Sequence, residues 1–236
     1  MTLIILSIIA ASILGAFSAR FLLRGSHVSL GFAGGAILGL VFLDIVPDLF
    51  EEAVTLGIEI HTLSIGLLCG FLGMHILEKV SGFHEHGHGD HEHSHSGGTI
   101  AVGTLSVHAF IDGLGLGAAY LVSNTLGTSI IFAFILHKFL DGINIQAIAQ
   151  ASDSKNRQLF LLVNIAVTII GVLFVSLLTL STVTLMFLTA LVGGVLIYVS
   201  SSHVLPEAHE HENSWKTIFA TLCGVGLVFL LSQFHV

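Results

Sequence analysis

The chain has 236 residues, of which 54% are hydrophobic and only 9% are Asp, Glu, Lys or Arg. Ordinary soluble domains carry roughly 25% charged residues, and the mean hydropathy here is +0.97. This composition excludes a soluble globular protein and a disordered chain. Seven Lys and Arg against 15 Asp and Glu leave no basic surface for nucleic-acid phosphates. The chain is therefore predicted to be a polytopic membrane protein.

Eight apolar stretches are long enough to cross a bilayer as helices, which takes about 20 residues each. We therefore predict an all-α membrane protein of eight transmembrane helices, forming a single transmembrane domain over residues 1–236. The predicted spans are 2–23, 29–52, 60–83, 99–122, 127–150, 158–180, 183–206 and 214–234.

The basic residues outside the fifth span predict the orientation of the chain. They fall on one side of the membrane only, which the positive-inside rule identifies as the cytoplasm. Both termini are then expected outside a cell membrane, either a plasma membrane or an inner membrane. The outer side carries Asp48, Glu51, Glu52 and Glu59, which either attract cations or simply collect on the translocated side. The basic residues are Arg20, Arg24, Lys79, Lys155, Arg157 and Lys216.

Histidine is the unusual component of the composition, with 15 residues in a chain so poor in charge. A tract rich in His, residues 84–95, lies in the predicted cytoplasmic loop between spans three and four. Such a tract binds soft divalent ions loosely, or it is simply a solvated linker. A second cluster, residues 209–212, follows span seven on the same side. Both clusters point to transition metals.

An internal repeat relates spans two and seven. A Gly-Gly pair, an Asp or His, and a Pro followed by an acid recur after 159 residues, and the two prolines are the only ones in the chain. The two spans run in opposite directions, so the copies are inverted, as in alternating-access transporters. Chance similarity between glycine-rich apolar helices is the alternative. The matched residues are Gly34 and Gly193, Gly35 and Gly194, Asp44 and His203, Pro47 and Pro206, Asp48 and Glu207.

The repeat also predicts a cation path on either side of the membrane centre. Its residues on span two lie in the outer half of that span, and those on span seven lie at its inner end. Two further histidines are placed to receive the ion on exit. Ordinary polar residues at helix ends explain Asp48 and Glu207 equally well. The predicted path residues are Asp44, Asp48, His203, Glu207, His209 and His211.

Spans four and five share the motif H-x-x-x-D-G. His108 and Asp112 form one copy, and His137 and Asp141 form the other. Residues four apart lie on one helical face. If the two spans form a hairpin that turns near residue 124, Asp112 lies level with His137, and His108 lies level with Asp141. The four side chains then form a cage of two nitrogen and two oxygen ligands, which suits Zn²⁺, Fe²⁺ or Mn²⁺. A purely structural polar cluster is the alternative.

These motifs, the His-rich loop, the eight spans and the outer termini together resemble the ZIP family of divalent metal transporters. The resemblance implies transport of Zn²⁺ or a related ion, such as Fe²⁺, Mn²⁺ or Cd²⁺, into the cytoplasm as substrate rather than cofactor. It also implies a 3+2+3 helix arrangement, a homodimer and an elevator-like movement of the metal-bearing helices. By position, His108, Asp112, His137 and Asp141 match the family's main metal site.

The sequence departs from the family pattern at a second, adjacent metal site. Many members place Asn after the first motif His and a carboxylate after the second, whereas this chain has Ala109 and Lys138. Many also place Glu on the sixth helix, where Asn164 and Thr168 are the candidate substitutes. We therefore expect one metal rather than two, with the Lys138 ammonium held by Asp112 and Asp141 in place of the second cation.

Other functions are weaker interpretations of the same residues. A cation-diffusion-type exporter also uses H-x-x-x-D pairs, but it has about six spans and a soluble C-terminal domain. A membrane-bound di-iron enzyme needs several H-x-x-x-H boxes, and here that spacing occurs only within residues 84–95. A channel-like leak is not excluded by the sequence, although the repeat favours a carrier.

The His-rich tract is expected to tune transport rather than perform it, because it lies outside the helical site. Deleting residues 84–95 should change the concentration dependence of metal uptake while leaving substantial uptake. Uptake of radioactive zinc by cells expressing equal amounts of the two proteins measures this. Complete loss of uptake by a correctly inserted deletion variant contradicts it.

Overall fold

The computed structural model describes residues 2–22, 27–81, 96–151, 156–209 and 215–233. Within these ranges the chain is helical, with short turns and no strand. Each predicted span overlaps one helical segment. The segments are α1 (Thr2–Leu22), α2 (27–56), α3 (Ile60–Ser81), α4 (Ser96–Val122), α5 (Asn124–Ala151), α6 (Arg157–Leu177), α7 (182–209) and α8 (Trp215–Ser232).

Over the residues whose side chains the structure describes, seven of these segments are long and apolar enough to cross a membrane. The segment α5 carries three charged or ionisable side chains in its centre: His137, Lys138 and Asp141. All three are buried in the protein interior and away from the lipid-facing surface. The three side chains of α5 therefore form a polar site inside a helical membrane protein.

Two helices widen into a π-helical turn, at Val41–Ile45 in α2 and at Ser200–Val204 in α7. Each turn lies just before a proline, Pro47 or Pro206. A proline has no N–H to donate, and its ring crowds the carbonyl one turn earlier, so the helix opens instead of continuing its regular ladder. The two π turns are themselves 159 residues apart, as the sequence repeat predicts.

The packing of the helices follows the same repeat. The most extensive contacts join α1 with α5, α4 with α6, α2 with α8, and α3 with α7. The repeat exchanges α1, α2 and α3 with α6, α7 and α8, and it exchanges α4 with α5. Under this exchange the contact between α1 and α5 becomes that between α6 and α4. The contact between α2 and α8 becomes that between α7 and α3. The internal repeat is therefore present in the three-dimensional contacts as well as in the sequence.

The glycine of each H-x-x-x-D-G motif is explained by close helix packing. A Cβ atom on Gly142 would lie 2.3 Å from the Ser12 carbonyl oxygen of α1, and one on Gly113 would lie 2.1 Å from the Thr168 carbonyl oxygen of α6. No side chain fits at such distances. The residue after each motif aspartate thus lets an outer helix approach the hairpin, which is held between α1 and α6.

Glycines also bring α3 against α7. A Cβ on Gly70 would lie 1.8 Å from the Leu191 carbonyl oxygen, and one on Gly194 would lie 1.9 Å from the Leu67 carbonyl oxygen. The two backbones are therefore in direct contact at both positions. In contrast, a Cβ on Gly73, three residues after Gly70 in the same helix, meets no atom within 4 Å.

This difference predicts opposite effects of two equivalent substitutions in α3. Gly70→Ala should lower the free energy of unfolding by about 1–3 kcal/mol, because the added methyl group forces the two backbones apart. Gly73→Ala is the matched control and should be neutral or raise it by up to about 1 kcal/mol, through its higher helix propensity. Thermal unfolding in detergent compares them. Equal effects of the two changes contradict the close approach of α3 and α7.

Candidate metal centre

The four residues of the two motifs come together between α4 and α5. His108 and Asp112 lie one turn apart on α4, and His137 and Asp141 lie one turn apart on α5. All four side chains are buried, with at most 4% of any residue exposed. One potential ligand atom from each residue lies within 4.8 Å of the other three. The hairpin thus brings the two sequence motifs into one cluster.

Three of these ligand atoms form a compact triangle. The distance between His108 Nε2 and His137 Nε2 is 3.1 Å, and Asp112 Oδ2 lies 3.1 Å from His137 Nε2 and 3.4 Å from His108 Nε2. Zn²⁺ bonded to nitrogen at about 2.0–2.1 Å in a tetrahedron has ligands about 3.3 Å apart. The triangle therefore has the size of one face of a tetrahedral zinc site.

Asp141 is the fourth member of the cluster, with Oδ1 lying 3.7 Å from His137 Nε2. The contact between Asp112 and His137 is the one that the hairpin register predicts. The register also predicts His108 at the level of Asp141, and their ligand atoms lie within the same 4.8 Å group. Asp141 therefore belongs to the same cluster but lies outside the compact triangle.

Apolar side chains and the second imidazole surround His137. The Phe134 ring, one turn earlier on α5, lies 6.0 Å from the His137 ring, and the two rings are nearly perpendicular at 84°. The His108 and His137 rings lie 5.1 Å apart in the same edge-to-face manner. Phe134 and Ala109 are buried. Burial of this kind strengthens every electrostatic interaction inside the cluster.

The part of the chain with these motifs matches a known protein family. A model of the ZIP zinc transporter family matches residues 97–232, which is more than half of the chain. The chain belongs to the ZIP family. Comparison with curated proteins gives no significant match. The matched region covers nearly all of α4 and the whole of α5–α8, and so it includes both motifs of the buried cluster.

This ZIP protein places a buried lysine beside the two aspartates. The Lys138 ammonium nitrogen lies 2.6 Å from Asp112 Oδ2 and 2.8 Å from Asp141 Oδ2. Lys138 is completely buried, so both contacts are shielded from solvent. These are the two carboxylates that the sequence predicts as its partners. An unpaired ammonium at this depth is costly, and the two carboxylates offset that cost.

The sixth helix of this ZIP protein reaches the same level without a carboxylate. Thr168 and Val172 of α6 pack at Gly113 and Gly117 of α4, so the two helices run in parallel register. One turn earlier, this register places Asn164 level with Ala109. Asn164 is buried, and within the described part of the chain its amide group has no hydrogen-bond partner.

The Thr168 hydroxyl has a different role from the one considered in the sequence. It donates to the Asn164 backbone carbonyl at 3.0 Å, a bond within α6. Its own carbonyl oxygen packs at Gly113. Thr168 is therefore used in helix packing, and Asn164 is the polar residue of α6 that remains closest in level to the cluster.

Of the predicted path residues, only Asp44 and Asp48 have side chains that the structure describes, and neither belongs to the four-residue cluster. Asp44 and Asp48 are half-buried on α2, the first inside its π turn and the second one turn later. The backbones of His203, Glu207 and His209 belong to the π turn and final turn of α7. His211 and the tract 84–95 lie outside the described residues.

One polar cluster has no counterpart in the sequence prediction. Glu78 of α3 is buried and accepts a hydrogen bond from the Tyr198 hydroxyl of α7, which also lies 3.3 Å from His75 Nδ1. A glutamate next to Lys79 at the end of a span looks like an ordinary helix-end residue. Only the α3–α7 contact, made possible by glycine packing, buries it.

The cluster geometry predicts that the two imidazoles dominate metal affinity. His137→Ala should weaken Zn²⁺ binding by more than about 100-fold, because it removes an inner ligand of the triangle. His61→Ala, at an exposed position on α3, is the matched control and should leave this binding unchanged. Calorimetry on purified protein with the histidines of 84–95 replaced by serine measures both. Equal affinity of both variants contradicts a metal site at this cluster.

Proposed function

We propose that this protein carries divalent transition-metal ions across a cell membrane into the cytoplasm, with Zn²⁺ as the main substrate. Fe²⁺, Mn²⁺ and Cd²⁺ are the further candidates. His108, Asp112, His137 and Asp141 hold the ion midway. The convergence of these four buried side chains within 4.8 Å is the observation that carries the proposal.

The energetics of burial support an ion at this position. A charged aspartate at the centre of a membrane helix costs about 2.5–3.5 kcal/mol on insertion scales. Two such residues lie side by side here, and the single lysine neutralises only one of their two charges. A divalent cation bound to both carboxylates offsets the remaining charge. Two nitrogen and two oxygen ligands also match the preference of Zn²⁺.

The repeat supports alternating access as the mechanism. Inverted repeats place the substrate site where the two copies meet, and movement of one unit exposes it to either side. In the 3+2+3 arrangement that we propose, the hairpin α4–α5 lies between the units α1–α3 and α6–α8. The four most extensive helix contacts fall within two groups, α1, α4, α5 and α6 in one and α2, α3, α7 and α8 in the other, and the contact between α4 and α7 joins the two groups. The first group carries the metal and moves against the second.

The remaining features of the transport path belong to this proposal. Both termini lie outside the cell, and the His-rich loop lies in the cytoplasm. Ions enter past the residues of α2 and leave past the C-terminal end of α7 and the following loop. The protein acts as a homodimer in the plasma or inner membrane, as the resemblance to the family implies. The path residues are Asp44, Asp48, His203, Glu207, His209 and His211.

Zinc uptake by cells or proteoliposomes tests the proposed function. Asp112→Asn and Asp141→Asn should each reduce the initial uptake rate by about tenfold or more, since each removes a charged ligand of similar size. His61→Ala is the control and should transport as the wild type does. Competition by unlabelled Fe²⁺, Mn²⁺ and Cd²⁺ ranks the substrates.

The direction of transport is measured in the same experiment. Cells that lose preloaded zinc faster when they express the protein indicate an exporter and contradict the proposal. Unchanged uptake by both aspartate variants contradicts the assignment of the site, provided that they reach the membrane in equal amounts.

A further inference from the structure

The two carboxylates of the proposed metal site are shared with a buried ammonium group. Lys138 is fully buried, and its Nζ lies 2.6 Å from Asp112 Oδ2 and 2.8 Å from Asp141 Oδ2. Both distances are those of charge-assisted hydrogen bonds. Lys138 lies next to His137 in the chain, and the two side chains contact the same oxygen, Asp112 Oδ2.

The carboxylates are divided between two cationic positions. Asp112 Oδ2 faces the ammonium and also lies 3.1 Å from His137 Nε2. Asp141 gives Oδ2 to the ammonium, while its Oδ1 lies toward His137 at 3.7 Å. Asp141 thus uses one oxygen for each position, as a carboxylate that bridges two metal ions does, whereas Asp112 uses Oδ2 for both. Here one position has the imidazole ligands of a metal, and the other is occupied by Nζ.

The residues at the level of the two aspartates bring no further negative charge. Ala109, which follows the first motif histidine, is completely buried and has no polar atom in its side chain. Asn164 lies at the same level on α6 and offers only a neutral amide. The position next to the two aspartates is therefore suited to a group that brings its own charge and is covalently attached to the chain.

We propose that the Lys138 ammonium permanently occupies the place of a second cation, so that the hairpin takes a single divalent metal ion. This inference rests on the proposed function, since it concerns the number of ions at the same site. Lys138 is a positioning residue: it orients both carboxylates and fixes their charge, and the metal is bound by the four motif residues.

The fixed ammonium changes the charge of the empty carrier. Two carboxylates and one ammonium leave one net negative charge when the site is empty, and a bound divalent ion converts this into one net positive charge. Without the lysine, the empty hairpin has two uncompensated negative charges close together. Such a hairpin binds the ion more tightly, and its return movement without a bound ion costs more free energy.

A purely structural role for Lys138 makes a different prediction. If the lysine only ties α4 to α5, replacing it lowers stability without changing the number of bound ions. The number of metal ions per chain is therefore the measurement that separates the two roles. Transport rate alone does not separate them, because both roles lower it.

The experiment counts zinc bound to purified, full-length protein by elemental analysis and native mass spectrometry. Each variant is paired with a twin that also carries Asp112→Asn and Asp141→Asn, so that zinc on the loop histidines cancels in the difference. We expect one ion for the wild type and one for Lys138→Arg, which keeps the charge. We expect two for Lys138→Asp combined with Ala109→Asn, which supplies two ligands and removes the competing cation.

Lys138→Met keeps the experiment decisive if the double variant does not fold. It should still bind one ion, but with about tenfold higher affinity and about tenfold slower turnover, because the competing charge is gone. Lys138→Arg should retain most of the wild-type values. Unchanged affinity and turnover in Lys138→Met overturn the inference.

The remaining outcomes separate this inference from the proposed function. Two ions in the wild-type hairpin overturn the role of Lys138 but leave the metal site in place. A single ion in a folded Lys138→Asp, Ala109→Asn protein also overturns it. No difference in zinc between the wild type and its twin contradicts the metal site itself, and the inference falls with it.

Discussion

Two aspartates buried side by side within a helical membrane protein are the constraint on which the rest of this structure depends. Asp112 and Asp141 belong to different helices, and their charges meet one ammonium between them. Charged groups at this depth require close partners. Close partners in turn require helices that approach one another without bulky side chains between them. The glycines at the helix contacts therefore allow the close pairing that the buried charges of the site require.

The contacts within the central cluster could be predicted from the sequence because their geometry is local. Residues four apart share a helical face, and a short hairpin turn fixes which residues of two helices lie at the same level. These two facts were sufficient to predict the contact between Asp112 and His137 and the pairing of Lys138 with both aspartates. They could not supply the distances, because the approach of α4 and α5 also depends on α1 and α6.

Other features depend on contacts between distant parts of the chain and were not predicted. The repeated prolines indicated related helices, but they did not show that a π turn precedes each of them. The bond between Glu78 and Tyr198 joins residues 120 positions apart. Gly70 and Gly194 let the backbones of α3 and α7 touch, and this close packing brings the two residues together.

The contacts that glycines make between helices are of two kinds. Within the pairs α1–α5, α4–α6, α2–α8 and α3–α7, glycines meet backbone carbonyls of the partner helix. Backbones in such contact are locked in register. Between α4 and α7, Gly115 meets the side chain of Val192 instead. A side chain can change its rotamer, whereas a backbone carbonyl in a helix stays in place. If the two groups of helices move against each other as proposed, the size of the side chain at Val192 therefore sets the clearance between α4 and α7.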